Sequence, residues 1–214
     1  QPGNRGDTED RGLYLLAKFR LNDHNLFHLG LRHDRNSVFG PATTLRGGWV
    51  SRVGAWTGKL LYGEAFQEPS QRTLYGGFVG ATSNPEIKPE RSRTWELSLG
   101  HSAGRVDHLL SLYRVDNRDT VTYVSNLGER QVMGADYHLQ AGPFPSPLGQ
   151  VRAWAYASRY LKAEGGPAGD SGLTATGRIG DLADNKLWAG CSLEARNGLQ
   201  STLRGRWVGR RAVV

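Results

Sequence analysis

One cysteine, Cys191, is all that the 214 residues contain, so no disulfide and no cysteine-based metal site can form within the chain. Long apolar runs are missing as well. No stretch approaches the roughly 18 consecutive apolar residues that a membrane-crossing helix needs, and mean hydropathy is −0.51. That value fits a water-soluble protein, but it fits equally a membrane barrel, whose alternating strands dilute the apolar signal. Charge comes without blocks. The balance is +7, mostly from Arg, yet the cations are scattered and no run of five or six builds a nucleic-acid patch. Catalytic groupings are absent: there is no Ser/His/Asp arrangement and no paired-carboxylate site, and His24, His28, His33, His101 and His108 lack the spacing of a metal centre. Neither an enzyme nor a cofactor is implied. No secretion signal opens the chain. Gln1 to Arg11 reads as a polar loop, so either a leader was removed or the chain is an internal segment.

Glycine is abundant, 29 of 214 residues, about twice the usual share, which disfavours long helices and suits many turns. Period-two alternation recurs from end to end. It predicts ten strands, roughly 12–21, 25–34, 46–53, 57–66, 93–101, 106–118, 130–141, 149–162, 186–196 and 199–209. In the first, Leu13, Leu15, Ala17, Phe19 and Leu21 share one face, with Lys18 and Arg20 on the other. In the fifth, Trp95, Leu97 and Leu99 oppose Thr94, Glu96 and Ser98. In the ninth, Leu187, Ala189, Cys191, Leu193 and Ala195 oppose Ser192 and Glu194. In the tenth, Leu199, Leu203 and Trp207 oppose Gln200, Thr202, Arg204 and Arg206. The third, fourth and sixth are ambiguous in face.

Alternation with one apolar face fits any antiparallel sheet. Two further features point to a membrane. Many strands reach about ten residues, the length a tilted strand needs to cross a bilayer. The connections also alternate: short near 22–24, 54–56, 102–105, 142–148 and 197–198, long at 35–45, 67–92, 119–129 and 163–185. Short turns on one rim and long loops on the other is the outer-membrane pattern. The last turn, Asn197-Gly198, is a hairpin signal.

The stretch from Lys59 to Leu99 carries a family resemblance. A strand containing Glu64 leads into Pro69-Ser70, then Leu74-Tyr75, then the box Asn84-Pro85-Glu86-Ile87-Lys88-Pro89-Glu90, and the next strand opens on Trp95-Glu96-Leu97. This order resembles the late barrel of TonB-dependent outer-membrane receptors. Gly12-Leu13-Tyr14, Gly30-Leu31-Arg32-His33-Asp34, Val132-Met133-Gly134-Ala135-Asp136, Asn185-Lys186-Leu187-Trp188-Ala189-Gly190 and Val208-Gly209-Arg210-Arg211 fit the same template in the same order. Gln67-Glu68 stands where a basic residue and Ala are more usual before Pro-Ser, and His33 replaces a common Tyr.

The resemblance implies an all-β, up-and-down antiparallel meander of about ten long strands, part of a transmembrane barrel of about 22 strands with a plugged lumen. Plug domain, TonB-contacting segment and final strands are expected to lie outside the chain, which stops at Arg210-Arg211-Ala212-Val213-Val214 as if entering a loop. The implied function is TonB-dependent uptake of a scarce nutrient, a ferric-siderophore-type chelate by the family's habits. Partners would be outer-membrane lipid and lipopolysaccharide, the TonB complex and a small metal chelate. A passive pore, an enzyme barrel of the outer membrane, and a soluble β-rich binding module are the competing readings. Tyr75, Phe78 and Tyr123 are candidate ligand contacts in long extracellular loops. Lys18, Arg20, Arg204 and Arg206 are expected to face the lumen, since facing lipid at mid-depth costs about 2–4 kcal/mol each. Tyr14, Phe27, Trp49, Trp56, Trp154 and Trp207 suit interface girdles. Glu90, Arg91 and Arg93 read as solvated rim charges, and Pro69, Pro85 and Pro89 as loop stiffeners.

Overall fold

The computed structural model of the chain describes residues 9–76, 83–122, 125–126, 128–166, 173–174, 176–180 and 182–211. Its elements are β1 (Asp10–Arg20), β2 (Asn25–Asn36), β3 (Gly40–Val53), β4 (Trp56–Gln67), α1 (Gln71–Tyr75), β5 (Glu90–Ala103), β6 (Val106–Arg118), β7 (Val121–Thr122), β8 (Ser125–Asn126), β9 (Arg130–Ser146), β10 (Gly149–Gly165), β11 (Asn185–Ala195) and β12 (Gln200–Val208). Ten of these strands form one sheet in the order β1-β2-β3-β4-β5-β6-β9-β10-β11-β12, while β7 and β8 pair separately inside the β6–β9 connection. Every pairing is antiparallel. The sheet is not closed, and β1 and β12 are its edges.

Register fixes the two faces, because directly paired residues share a side. One face is apolar. It carries Leu13, Leu15, Ala17 and Phe19 of β1, Phe27, Leu29 and Leu31 of β2, and Leu45 and Trp49 of β3. It continues through Leu60 and Tyr62 of β4, Trp95, Leu97 and Leu99 of β5, and Leu110 and Leu112 of β6. The register thus assigns the three strands whose sequence left the face open. The opposite face is polar and the more shielded: along β5 the apolar-face residues are exposed while Ser92, Thr94, Glu96 and Ser98 are buried or part-buried. Buried apolar side chains are few and small or isolated, among them Ala42, Leu74, Ile87, Ala163, Leu173 and Ala183. Most large hydrophobics point outward instead, with Leu13 and Leu203 about three-quarters exposed. A contiguous apolar surface on this scale requires an apolar partner.

All ten long strands fall where alternation places them, several running a few residues longer, and two connections depart clearly from expectation. The predicted long loop over 35–45 does not exist: β2 runs to Asn36 and β3 resumes at Gly40. The Asn36 side-chain oxygen accepts from the Val38 and Phe39 N–H groups at 2.7 and 3.3 Å and closes the turn itself. The strands here extend past the apolar belt, so neither face needs the alternation that marks a strand in sequence. The expected connection over 142–148 also shortens, because β9 continues to Ser146 through a register shift beside Gly142, whose φ is +105°.

Candidate functional site

Two rims bound the sheet. One is made of tight turns, at 21–24, 54–55, 104–105, 147–148 and 196–199; the other carries the 37–39 turn and the long connections 68–89, 119–129 and 166–184. The motif residues collect at the second rim, and most of them turn out to hold connections in place.

Ser70 starts α1: its Oγ accepts from the Thr73 N–H at 3.1 Å and lies 2.7 Å from the Thr73 hydroxyl, the arrangement of a helix N-cap. Leu74 is buried within the helix and Tyr75 follows it, 40% exposed. The Thr73 carbonyl accepts from the Asn84 N–H, and Asn84 Oδ1 accepts from the Glu86 N–H at 2.9 Å, which turns the chain before buried Ile87. Pro85 lies within this turn and Pro89 follows it. Lys88 contributes its backbone. Its N–H donates to Asn126 Oδ1 at 2.8 Å, and Asn126 Nδ2 donates back to the Lys88 carbonyl at 2.9 Å and to that of Asp119 at 2.7 Å. Glu90 reaches across in the same direction, accepting from the Val121 N–H at 2.6 Å. The Asn-Pro-Glu-Ile-Lys-Pro-Glu box therefore joins the β4–β5 connection to the β6–β9 connection. Asn126, which the sequence did not single out, is the central partner; its place in a short polar hairpin gives no signal of that role.

Glu64 lies directly opposite Arg93 on the apolar side of the sheet, above Tyr62 and Trp95. Its carboxylate accepts from the Tyr62 hydroxyl and from the Leu45 N–H at 3.1 Å, and sits 3.3 Å from Arg93 Nε. Glu96 is on the polar face, accepting from the Ser98 hydroxyl at 2.7 Å. Glu68, just past β4, is exposed, and its carboxyl is raised above the ordinary carboxylate range by partial desolvation, with Asp10 and Asp34 adding to the rise and Arg32 opposing it.

The polar face carries Lys18, Arg20, Arg204 and Arg206, paired in register with His28, Leu26, Gly190 and Trp188. Arg206 stands 5.9 Å over the Trp188 ring. At that level a transverse row runs through His138, Tyr156 and Trp188, with centroids 4.5 and 4.9 Å apart.

Aromatics also line the apolar face in two rows. Near the tight-turn rim stand Phe27 stacked on Trp49, then Trp56, His101, His108 and Tyr137 in succession. Trp49 Nε1 donates to Asn25 Oδ1 at 2.8 Å. Towards the other rim Tyr62 and Trp95 pack at 4.4 Å. Trp207 shares this face, opposite Leu187. Tyr14 and Trp154 do not: they pair with Arg32 and Gly190 on the polar face. Tyr14 follows the opposite parity to the Leu row of β1, and the Ala-Trp-Ala-Tyr-Ala run of β10 is apolar on both parities, so position near a strand end was no guide to face. Phe78 and Tyr123 lie outside the described residues. Among the described residues no group of His, Cys, Asp and Glu is placed to hold a metal ion, and no helix is long and apolar enough to cross a membrane.

Residues 1–154 match the family model for the TonB dependent receptor-like β-barrel. The fold is shared with solved structures at low identity. The siderophore receptor PirA from Acinetobacter baumannii aligns over 97% of this chain and 35% of its own at 16% identity and a TM-score of 0.79. The FrpB iron transporter from Neisseria meningitidis aligns over 94% and 33% at 18% identity and 0.71. The copper transporter OprC aligns over 96% and 36% at 13% identity and 0.72. The chain thus spans about a third of the length of each of these proteins. The two-faced meander, the segregated rims and the family match over most of the chain lead to one statement: this chain belongs to the TonB-dependent receptors, a family of outer-membrane receptors and transporters, and forms part of their β-barrel.

Proposed function

We propose that the chain is wall and extracellular rim of an outer-membrane receptor that imports a ferric-siderophore-type chelate in a TonB-dependent manner. The observation that carries this reading is the apolar face framed by two aromatic rows. From Trp56 to Tyr62 on β4 the belt spans six residues, about 20 Å along the strand at about 3.3 Å per residue, and so fits inside the apolar band of about 25 Å that an outer-membrane barrel presents to lipid. The polar face, with Lys18, Arg20, Arg204 and Arg206, then lines the lumen. In this reading the barrel has about 22 strands, with the plug domain, the TonB-contacting segment and the remaining strands outside these 214 residues. Lipid and lipopolysaccharide surround the apolar belt. Tyr75, Phe78 and Tyr123 meet the chelate at the long-connection rim, where aromatic faces and cations favour an anionic, aromatic ligand. The similarity to proteins named as siderophore receptor and iron transporter supports the substrate class.

Deleting the full-length gene and following radiolabelled iron uptake tests this. Loss of uptake of one ferric siderophore, restored only by the intact gene with a working TonB, is the expected result. TonB-independent diffusion would indicate a passive pore, and loss of copper uptake alone would replace the substrate class.

A further inference from the structure

On the apolar side of the sheet, just above Trp95, lies a groove of about 600 Å³ whose walls hold five cationic and three acidic side chains. Its level is set by register: Trp95 opposes Arg114, which opposes Met133, which opposes Lys162; one step higher come Arg93 and Asp116. Directly beneath on the same face are Leu97, Leu99, Leu110 and Leu112. Whatever occupies the groove therefore meets cations at one end and the apolar belt at the other.

The guanidinium groups are held ready. Arg114 is gripped along one edge by Asp116 at 2.8 and 3.0 Å, and Gln131 Nε2 fixes the same carboxylate at 2.7 Å. Arg93 is held through Glu64, itself fixed by the Leu45 N–H and the Tyr62 hydroxyl. Arg118 and Lys162 have carboxylates at 3.5 and 3.3 Å. A guanidinium carries five N–H donors, more than the pairs of Arg93, Arg114 and Arg118 use. Exposed ion pairs contribute little to stability, so stability alone does not account for four of them side by side above a leucine belt. A fixed fork of N–H donors does match phosphate, which binds arginine in a bidentate manner.

We propose that this groove is a binding site for the phosphates of an outer-leaflet glycolipid of the lipopolysaccharide class, whose acyl chains lie on the leucine belt below. Net positive charge fits the phosphates, and Trp95 marks the boundary between head and chains. The proposal rests on the outer-membrane reading and adds to it a place and a chemistry.

The test uses the full-length receptor, reconstituted in phosphatidylcholine nanodiscs and titrated with diphosphorylated lipid A or its dephosphorylated form. Lipid A is expected to bind, and removal of its phosphates to weaken it by about tenfold or more. The triple variant R114Q/R118Q/K162Q should lose binding by the same factor, whereas the polar-face double variant K59Q/K186Q should match the parent. Equal binding of both lipid forms, or full retention by a folded triple variant, overturns the proposal. If the triple variant does not fold, the two lipid forms on the parent protein still decide. A receptor absent from the outer-membrane fraction would instead remove the reading on which this rests.

Discussion

The indole of Trp154 covers Gly190, the residue directly opposite it on the neighbouring strand, so closely that a Cβ there would overlap the ring. Tyr113 covers Gly134 in the same way. These glycines make room for large rings on the polar face and let the strands keep their register. Gly190→Ala in the full-length receptor should destabilise the barrel by about 1–3 kcal/mol, as overpacking does. The check is the temperature at which the heat-modifiable band on a gel converts; an unchanged transition would show that the ring moves aside freely.

Neighbouring leucines on β6 test the assignment of faces. Leu110 is on the apolar face and Leu109 on the polar one. Leu110→Arg should cost about 2–4 kcal/mol in a bilayer, while Leu109→Arg, pointing into water, should cost less than about 1 kcal/mol. Equal costs, measured by denaturant folding into lipid vesicles, would mean that the apolar face does not meet lipid.

Removing the Asn126 amide isolates the joint between the two long connections. Asn126→Ala loses three hydrogen bonds, to the Lys88 N–H, the Lys88 carbonyl and the Asp119 carbonyl, a local cost of about 2–3 kcal/mol. Proteases should nick the connections faster while the sheet melts at its former temperature. Coupled loss of both would place the joint in the cooperative unit of the sheet.

Acid should favour the fold around Glu68. Because the folded state raises this carboxyl, it binds the proton more tightly folded than unfolded, and stability at this site rises as pH falls through the raised value. Glu68→Gln should therefore melt higher at pH 7, and the gap should close on acidification. A variant that melts lower at pH 7 refutes the upward shift assigned to this carboxyl.

The open edges make a prediction of their own. β1 and β12 each pair with a single strand, so the 214-residue chain alone should self-associate through them. Light scattering of the refolded chain reads this directly; a stable monomer whose β1 and β12 amides are protected from exchange would show that the edges are covered by something else.

What the sequence showed, it showed through parity. In β1 and β5 the apolar residues occupy one parity and the polar ones the other, so strand and face could be read together. In β10 Ala153, Ala155 and Ala157 alternate with Trp154 and Tyr156, both parities look apolar, and the face was settled only by pairing with β9 and β11. Strand ends beyond the aromatic rows were missed for a related reason. Around Asn36 and Gly40 both faces leave the apolar belt, so polar residues are acceptable on either side and the strand resembles a loop. The motif residues were legible as a family signature, but their work was not. Glu90 and Lys88 meet partners more than 30 residues away in sequence, Val121 and Asn126, and Arg93, read as a solvated charge, stays about half exposed while pairing with Glu64 across the strand pair.

The bridge through Asn126 bears on the shape of any opening at this rim. One side chain fastens the backbone at Lys88 to the backbone at Asp119, so these two stretches separate only by giving up its hydrogen bonds. Under the import proposed above, these two connections would present themselves to a cargo as one joined wall for as long as the bridge holds.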